Sequence, residues 1–396
     1  MKTKTLIALF GLALLSYQNL LAQETNKSSA KINIDSLLEK KMSDAGIVGM
    51  SAAIILNKKV DWMKSYGYAD KKNKVPFTSS TVMNIASVSK TFTGVCLMKA
   101  VEQGKVSLDE DINTYLPFKI INPDYPGEKI TLRQLATHTS SLNDRYPFYM
   151  DSTYFYNGSK PEALATFIKN YFSKDGKYYS KENFLKSKPG SEYNYSNIAT
   201  GLAGYILEIR TGEKLSDYGK KHIFDPLKMS HSGWSLAEID TNKHARLYQK
   251  QGDTINQIPW YEGTTYPDGG IRTSVEELSH FFIALLNNGA YGHAKLLQKK
   301  SVDEMLRFQF NAQNKPENIL LNKLNSGIFW ATKLGATRIG HNGSDPGVRV
   351  FMLADLSKKI GVILFFNTSL SDKEESRFFD IYNAVYQYAS GLDKKR

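Results

Sequence analysis

Hydrophobic and polar residues follow different periods in different parts of the chain. Residues 34–42 have the apolar spacing of a helix, and residues 47–56 and 60–68 read as two paired strands joined at residues 57–59. Helical periods interrupted by Pro and Gly fill residues 86–222. The final third returns to strands at 337–339, 348–354 and 360–367, followed by an amphipathic helix at about 373–389. Strands at both ends with helices between them predict an α+β fold, with a cleft between a sheet and an inserted helical lobe.

The first 22 residues have the pattern of a removable export signal. Lys2 and Lys4 precede a ten-residue apolar run at positions 6–15, which is too short to span a bilayer, and Ala22 ends a plausible cleavage site. The apolar run at 361–366 suits a buried strand. We therefore predict a signal peptide at 1–22, a mature domain at 23–396 and a periplasmic or secreted location. No stable membrane anchor is expected after cleavage; a permanent signal anchor is the alternative.

Composition and charge argue against a nucleic-acid-binding protein and against disulfide or metal sites. The formal net charge is +12, but the basic residues are spread along the chain and no nucleic-acid motif accompanies them, so no nucleic-acid partner is predicted. A single cysteine, Cys96, excludes an internal disulfide and a cysteine-based metal cluster. The seven histidines lack the spacing of metal ligands, and we expect neither a metal nor a cofactor.

The strongest local feature is Ser87, which opens a predicted helix three residues before Lys90. Residues three apart share a helix face, and a desolvated lysine can serve as the base that a serine nucleophile requires. Gly104 is expected to end this helix as its C′ residue. Ser-x-x-Lys by itself is also compatible with a helix cap and a surface lysine. A second copy at 28–31 lies in a polar tail and reads as linker.

Two later segments add candidate residues. A turn at 188–190 precedes Tyr195 and Asn197, whose side chains can both point into a cleft from one loop. The segment 340–344 contains His341, and Gly343 permits close approach of a substrate to a sheet edge.

Together these segments resemble a known family. Ser87-x-x-Lys90, Tyr195-Ser196-Asn197 and His341-Asn342-Gly343, in that order, look like the three motifs of the serine β-lactamase and penicillin-binding-protein superfamily. Segments 130–142, 223–229 and 269–274 are similar to the same family. The Tyr-Ser-Asn form resembles the branch of class C β-lactamases, D-Ala-D-Ala carboxypeptidases and esterases. The resemblance implies a β-lactamase/transpeptidase-like fold, with a sheet lobe at about 33–82 and 255–396 and a helical lobe at about 83–254.

The resemblance also implies roles for individual residues. Ser87 attacks the substrate carbonyl, and Lys90 and Tyr195 share proton transfer, the division between them being open. Asn197 hydrogen-bonds the substrate amide. The backbone N–H groups of Ser87 and Ser344 form an oxyanion hole.

The sequence departs from the family pattern at two positions. His341 stands where class C β-lactamases have lysine, and Ser141 replaces a glycine that is usual in the His-Thr-Ser-Gly-Leu segment. If His341 is charged, it can hold a substrate carboxylate; if neutral, it is a fixed hydrogen-bond donor.

The remaining candidates have mainly structural interpretations. Arg349 could contact a substrate carboxylate, although a solvated strand charge is the favoured reading. His138 is expected to be a structural hydrogen-bonding residue, and Cys96 to pack in the core. Tyrosines at 146–156 and 171–179 either line a lid or pack at the surface.

We therefore expect an exported serine hydrolase that cleaves an amide or ester through an acyl-enzyme on Ser87. A peptidase or amidase for D-amino-acid or cell-wall-type peptides is the leading interpretation, with a small molecule or a peptide, such as one derived from peptidoglycan, as substrate. The alternatives are a carboxylesterase, a class C-like β-lactamase and a non-catalytic penicillin-binding sensor.

Overall fold

The computed structural model describes residues 33–395, and its centre is a seven-stranded antiparallel sheet. The strand order is β12-β13-β14-β15-β1-β2-β3, so strands from the two ends of the described chain meet where β1 pairs with β15. The strands are β1 (Gly49–Leu56), β2 (Lys59–Asp70), β3 (Val75–Pro76), β4 (Met83–Asn84), β5 (Tyr154–Tyr156), β6 (Leu247–Gln251), β7 (Thr254–Ile258), β8 (Tyr261–Gly263), β9 (Arg272–Thr273), β10 (Ala290–Tyr291), β11 (Ala294–Lys295), β12 (Ala331–Lys333), β13 (Arg338–Asp345), β14 (Val348–Asp355), β15 (Ile360–Phe366) and β16 (Thr368–Ser369).

Helices cover both faces of this sheet. Alternate residues of β1 divide between two cores: Ile55 packs with the helices of the middle of the chain, and Ile54 packs with the first and last described helices. The helices are α1 (Ile34–Ala45), α2 (Ser89–Glu102), α3 (Leu132–Ala136), α4 (Phe148–Thr153), α5 (Leu164–Phe172), α6 (Asn197–Thr211), α7 (Leu215–Gly219), α8 (Tyr266–Gly269), α9 (Val275–Leu286), α10 (Lys299–Leu306) and α11 (Ser376–Asp393), with a π-helical turn at Lys220–Phe224.

The sheet built from distant parts of the chain confirms the predicted α+β class. β1 and β15 are buried along their whole length, which explains why each reads as an almost unbroken apolar run. The third motif differs from the prediction, because all of 338–345 forms one strand where a strand was expected at 337–339 only. Two glycines in this segment, Gly340 and Gly343, weaken its strand signal.

Helix α2 places the first motif. A 3₁₀ turn at Ala86–Val88 leads directly into the helix, and Gly104 follows its end with φ of 67°, the left-handed conformation predicted for a C′ glycine. Cys96 is completely buried, as expected. The ring of Phe92 stacks on Phe281 of α9 at a centroid distance of 3.6 Å, which packs α2 against α9.

Helix α6 is buried most deeply in its first turns. Ile198 and Leu202 are completely buried, whereas Ile209 near its end is 38% exposed. The helix also packs through small residues: a Cβ at Gly204 would lie 2.4 Å from the ring of Pro267, and a Cβ at Gly201 would lie 3.2 Å from Thr265. Close approach of α8 therefore decides which side of α6 is buried.

The signal peptide and the second Ser-x-x-Lys copy lie outside the described residues. Within 33–395, no helix combines the length and the apolar character that crossing a membrane requires. The division into a sheet lobe and a helical lobe stays a prediction.

Candidate active site

Ser87 lies in the 3₁₀ turn that leads into α2 and lines a cavity of about 450 Å³. Ala86, the residue before it, has φ of 46°, a left-handed conformation that costs energy for any residue with a Cβ. This strained turn presents the Ser87 side chain to the cavity wall shared by α2 and β13. Strain held immediately beside a nucleophile is typical of a functional site.

Lys90 is completely buried and donates three hydrogen bonds. Its Nζ lies 3.1 Å from Ser87 Oγ, 2.7 Å from Asn197 Oδ1 and 3.0 Å from the carbonyl oxygen of Asp268. Burial lowers the pKa of Lys90, but attraction to Tyr195 and Asp268 outweighs burial and holds the pKa above its ordinary value. Lys90 is therefore an ammonium group whose three N–H bonds are all used.

Tyr195 completes the arrangement around the nucleophile. Its hydroxyl lies beside the side chains of Ser87 and Lys90, and Lys90 Nζ lies 5.0 Å from the ring centroid. Burial raises the pKa of Tyr195, while the neighbouring ammonium of Lys90 opposes that rise. Because Lys90 donates to Ser87 Oγ, the hydroxyl proton of Ser87 is free to point at the Tyr195 oxygen.

The loop carrying Tyr195 and Asn197 is held by two buried residues. Asp144 accepts hydrogen bonds from Ser196 Oγ at 2.7 Å, Asn197 N at 2.7 Å and Ile198 N at 3.0 Å, which caps the N-terminus of α6. His138 accepts a bond from Ser196 N at 3.2 Å through Nδ1, and its ring lies 4.4 Å from that of Tyr195. His138 thus has the hydrogen-bonding position expected of a structural residue.

Strand β13 brings the third motif against the nucleophile. A Cβ at Gly343 would lie 2.5 Å from the Ile85 carbonyl oxygen and 3.0 Å from Ser87 N, so glycine is required for this close approach. Ser344 follows and lines the cavity with the Ser87 side chain. The backbone of β13 at this point is suitably placed to supply the second N–H of an oxyanion hole.

His341 is buried on the same face of β13. Its Nδ1–H donates to the Asn342 carbonyl oxygen at 2.7 Å. Burial, together with repulsion from Lys333 and Lys90, lowers the pKa of His341 far below its ordinary value. The imidazole is neutral at working pH, which favours the fixed-donor interpretation over the charged one.

Two carboxyl groups also face the cavity. Asp268 accepts a hydrogen bond from Tyr149 at 3.0 Å and Asp345 accepts one from Tyr154 at 2.8 Å. Burial raises the pKa of Asp268 to about 6, against the attraction of Lys90, and raises the pKa of Asp345 to about 7. Both groups therefore titrate near neutrality.

Tyrosines from the first of the two tyrosine-rich segments, residues 146–156, form one wall of the cavity. Tyr146, Tyr149 and Tyr154 line it together with Met150. The second group differs: the ring of Tyr171 packs 5.7 Å from that of Phe167. The first group belongs to the site and the second to the core.

The structure brings most of the predicted residues together. The cavity is lined by Ser87, Tyr195, Asn197, His341 and Ser344, with Lys90 directly behind Ser87 and Gly343 against its backbone. Arg349 is not among the residues that line the cavity, and it is not the solvated strand charge that was favoured. Its guanidinium pairs with Glu375 at 2.5 Å, is 6% exposed and packs over Phe351 on the face covered by α11.

Sequence reasoning missed four charged residues of the site. Asp268 and Asp345 each lie directly beside a segment that resembles the family, and that position in the sequence could have marked them as candidates. No feature of the sequence marks Asp144 or Lys333 as part of the site. Among the described residues, no group of three or more His, Cys, Asp or Glu side chains is placed to hold a metal ion.

Comparison with known proteins agrees with this geometry. A family model described as Beta-lactamase matches residues 34–384. The chain belongs to the beta-lactamase family. A curated relative, Protein flp of Staphylococcus aureus (strain MW2), is 30% identical over 264 residues, covering 66% of this chain and 50% of that protein. The chain thus spans about half the length of the first curated relatives that it matches.

Solved structures of other proteins share the fold. A D-amino acid amidase from Ochrobactrum anthropi SV3, complexed with L-phenylalanine amide, superposes with a TM-score of 0.68 at 22% identity, covering 90% of this chain and 99% of the amidase. EstCE1, a hydrolase with promiscuous acyltransferase activity, gives 0.69 at 21% identity, covering 89% and 97%. These likenesses show that the chain has the β-lactamase/transpeptidase-like fold.

Proposed function

We propose that this beta-lactamase-family protein is an exported serine hydrolase, which cleaves an amide or ester bond through an acyl-enzyme on Ser87. The observation that carries the proposal is the 3.1 Å hydrogen bond from the buried Lys90 ammonium to Ser87 Oγ, at the wall of a cavity of about 450 Å³. That volume suits a small molecule or a short peptide.

Tyr195 is the group placed to accept the proton of Ser87 during acylation. Lys90 uses its three N–H bonds on Ser87, Asn197 and the Asp268 carbonyl, so it has no lone pair to offer in this state. Its positive charge instead favours the phenolate form of Tyr195, which takes the proton of Ser87 and becomes the neutral phenol. Lys90 and Tyr195 titrate as a pair, and the proton is then passed to the leaving group.

The remaining groups hold the substrate carbonyl and its amide. The backbone N–H groups of Ser87 and Ser344 bind the developing oxyanion, an interaction of about 3 kcal/mol for each donor. Asn197 Oδ1 is engaged by Lys90, which leaves its Nδ2 directed to Tyr146 at 3.4 Å and to the cavity. That N–H is available to the carbonyl of a substrate amide.

D-amino-acid amides and cell-wall-type peptides are the proposed substrate class. Support comes from the family, whose solved members include a D-amino acid amidase, and from the tyrosine-lined cavity that offers an apolar wall beside carboxyl groups. The predicted signal at 1–22 supports a periplasmic or secreted location, where cell-wall peptides are found.

The decisive experiment compares wild type with Ser87→Ala against D-Ala-D-Ala peptides, D-amino-acid amides, short acyl esters and a chromogenic cephalosporin. We expect turnover of at least one peptide or amide, and covalent labelling by a penicillin at Ser87, both lost in Ser87→Ala. Ser80→Ala, a change at an exposed serine, is the matched control. Labelling that survives Ser87→Ala disproves the nucleophile. An adduct that persists without turnover identifies a penicillin-binding sensor instead.

A further inference from the structure

Lys333 is an unpaired cation in the wall of the cavity. It ends β12, is partly buried and lines the same cavity as Ser87. Among the described residues 33–395, its side chain has no hydrogen-bond or ion-pair partner. Removing an ammonium group from water without a counter-charge costs free energy of folding, which indicates that Lys333 has a function.

The charged groups around Lys333 are positive. Lys90 and Arg349 repel it, and Arg349 is itself neutralised by Glu375. The carboxyl groups of the cavity lie away from Lys333. In the strand ladder Lys333 is opposite Arg338, the first residue of β13, whereas Asp345 is the last residue of that strand. Neither Asp345 nor Asp268 is within ion-pair distance of Lys333. The protein thus leaves this end of the cavity with an excess positive charge.

The pKa of Lys333 agrees with a missing counter-charge. Burial, with repulsion from Lys90 and Arg349, lowers the pKa to about 8. An anion bound beside the ammonium would oppose both effects and restore the ordinary pKa. The neighbouring His341 cannot supply the charge, because its imidazole is neutral and donates to Asn342.

We propose that Lys333 forms an anion subsite of the active site and binds a carboxylate of the substrate, as at the C-terminus of a short peptide. This inference rests on the proposed function, because it names the substrate group that the Ser87 cavity selects. It assigns the cation of the site to β12, outside the three motifs. The substrates preferred by the protein then carry a free carboxylate, in contrast to neutral esters and amides.

The test measures binding of two matched ligands to the inactive Ser87→Ala protein by calorimetry. The ligands are acetyl-D-alanyl-D-alanine and its C-terminal amide, which differ in the negative charge. We expect the acid to bind about 10- to 100-fold more tightly, the range for one charge-assisted hydrogen bond. Lys333→Met in the same background should remove that preference, whereas binding of the amide should stay within about threefold.

Controls separate Lys333 from its surroundings. Lys323→Met changes the net charge equally at an exposed lysine outside the cavity, and should retain the preference for the acid. His341→Gln should retain it too, because His341 carries no charge. Lys333→Arg keeps a cation and should recover part of the preference. Methionine fills the same space without a buried charge, so Lys333→Met should fold, which its melting temperature checks.

Several results would overturn the anion subsite. They are equal affinity for the two ligands, no binding of either, or an acid preference that survives Lys333→Met. Failure of the proposed function is a separate observation, because it appears as wild-type turnover or penicillin labelling that does not depend on Ser87.

Discussion

Asp268 approaches Lys90 with two oxygen atoms. Its carbonyl oxygen accepts a hydrogen bond from Lys90 Nζ at 3.0 Å, and its carboxyl Oδ1 lies 3.8 Å from the same nitrogen. The carbonyl fixes where the ammonium points, and the carboxyl group helps to keep it charged. The second function can be removed without the first, because substitution at Asp268 leaves the backbone in place.

Asp268→Asn should therefore shift the pH dependence of acylation. The charged groups facing Lys90 are Tyr195, Asp268 and Asp345, and each raises the pKa of Lys90. Removing one negative charge lowers that pKa, so the alkaline limb of kcat/KM should move down by about one pH unit, with kcat reduced about tenfold. A pH profile of pre-steady-state acylation measures this. An unmoved alkaline limb would show that the Asp268 carboxyl group does not act on Lys90.

Lys90→Ala and Tyr195→Phe should each slow acylation by about 100-fold or more. The two side chains share one proton path with Ser87, so the double variant should be little slower than the worse single variant. Acyl-adduct formation followed by mass spectrometry gives the rates. Because Lys90→Ala leaves Asp268 buried without its partner, circular dichroism must confirm the fold. Losses that multiply in the double variant would contradict a shared path.

A neutral His341 should not titrate in the working range. Burial lowers its pKa far below the ordinary value, so the ratio of kcat/KM for a carboxylate substrate to that for a neutral ester should have the same pH profile in wild type and in His341→Gln between about pH 5.5 and 7. Asp268 and Asp345 titrate in both proteins and cancel in this comparison. A limb near pH ~6.5 that is present in wild type and lost in His341→Gln would show that His341 is charged. His341→Lys should lower the melting temperature, because it buries a further cation near Lys90 and Lys333.

The catalytic motifs could be predicted because their signals are local. Ser87 and Lys90 are one helical turn apart, and Tyr195 lies two residues before Asn197, which begins α6, so short patterns suffice to find them. Their meeting in one cavity follows from tertiary packing, which family resemblance supplied and periodicity did not. Strand and helix boundaries were off by a few residues, as at α1, which runs to Ala45 where 42 was expected.

Buried charge explains what the sequence did not reveal. Asp144 and Asp268 are buried and Lys333 is partly buried, although charged residues are usually at the surface, and no sequence pattern distinguishes the two cases beforehand. Ser141 shows a related difficulty: it has φ of 57°, a conformation that favours glycine, and a hydrogen bond from Asn122 Nδ2 at 2.9 Å supports its hydroxyl. Such compensation depends on a residue distant in sequence.

His244 should make the protein less stable in acid. Burial, with repulsion from Arg272, lowers its pKa to about 3, and Nδ1–H donates to the Ala245 carbonyl oxygen at 2.7 Å. Below pH ~6.5 the unfolded chain protonates this histidine while the folded chain does not. Stability therefore falls as pH drops from about 6.5 towards 3, by about 1.4 kcal/mol per pH unit for this group.

Urea unfolding of wild type and His244→Asn at several pH values between 5 and 7 measures that contribution. The variant should be less stable at pH 7, and the difference should shrink as pH falls, because asparagine does not titrate. His293→Asn, at an exposed histidine, should give a curve parallel to wild type. A constant difference between wild type and His244→Asn would rule out the linkage.

Asp345 should have the opposite effect on stability. Its pKa is raised by burial to about 7, so the folded chain binds a proton between about pH 4 and 7 that the unfolded chain has released. Stability from this group therefore falls as pH rises through that range, because the carboxylate becomes charged in a buried position.

Asp345→Asn removes the charge and keeps an oxygen to accept from Tyr154. The variant should exceed wild type by about 1 kcal/mol or more at pH 8, and the gain should vanish towards pH 4. Denaturant unfolding at pH 5 and 8 checks this, with Asp253→Asn as the exposed control. A loss of stability at pH 8 would contradict this prediction, because it would mean that the charged carboxylate of Asp345 is compensated in the fold.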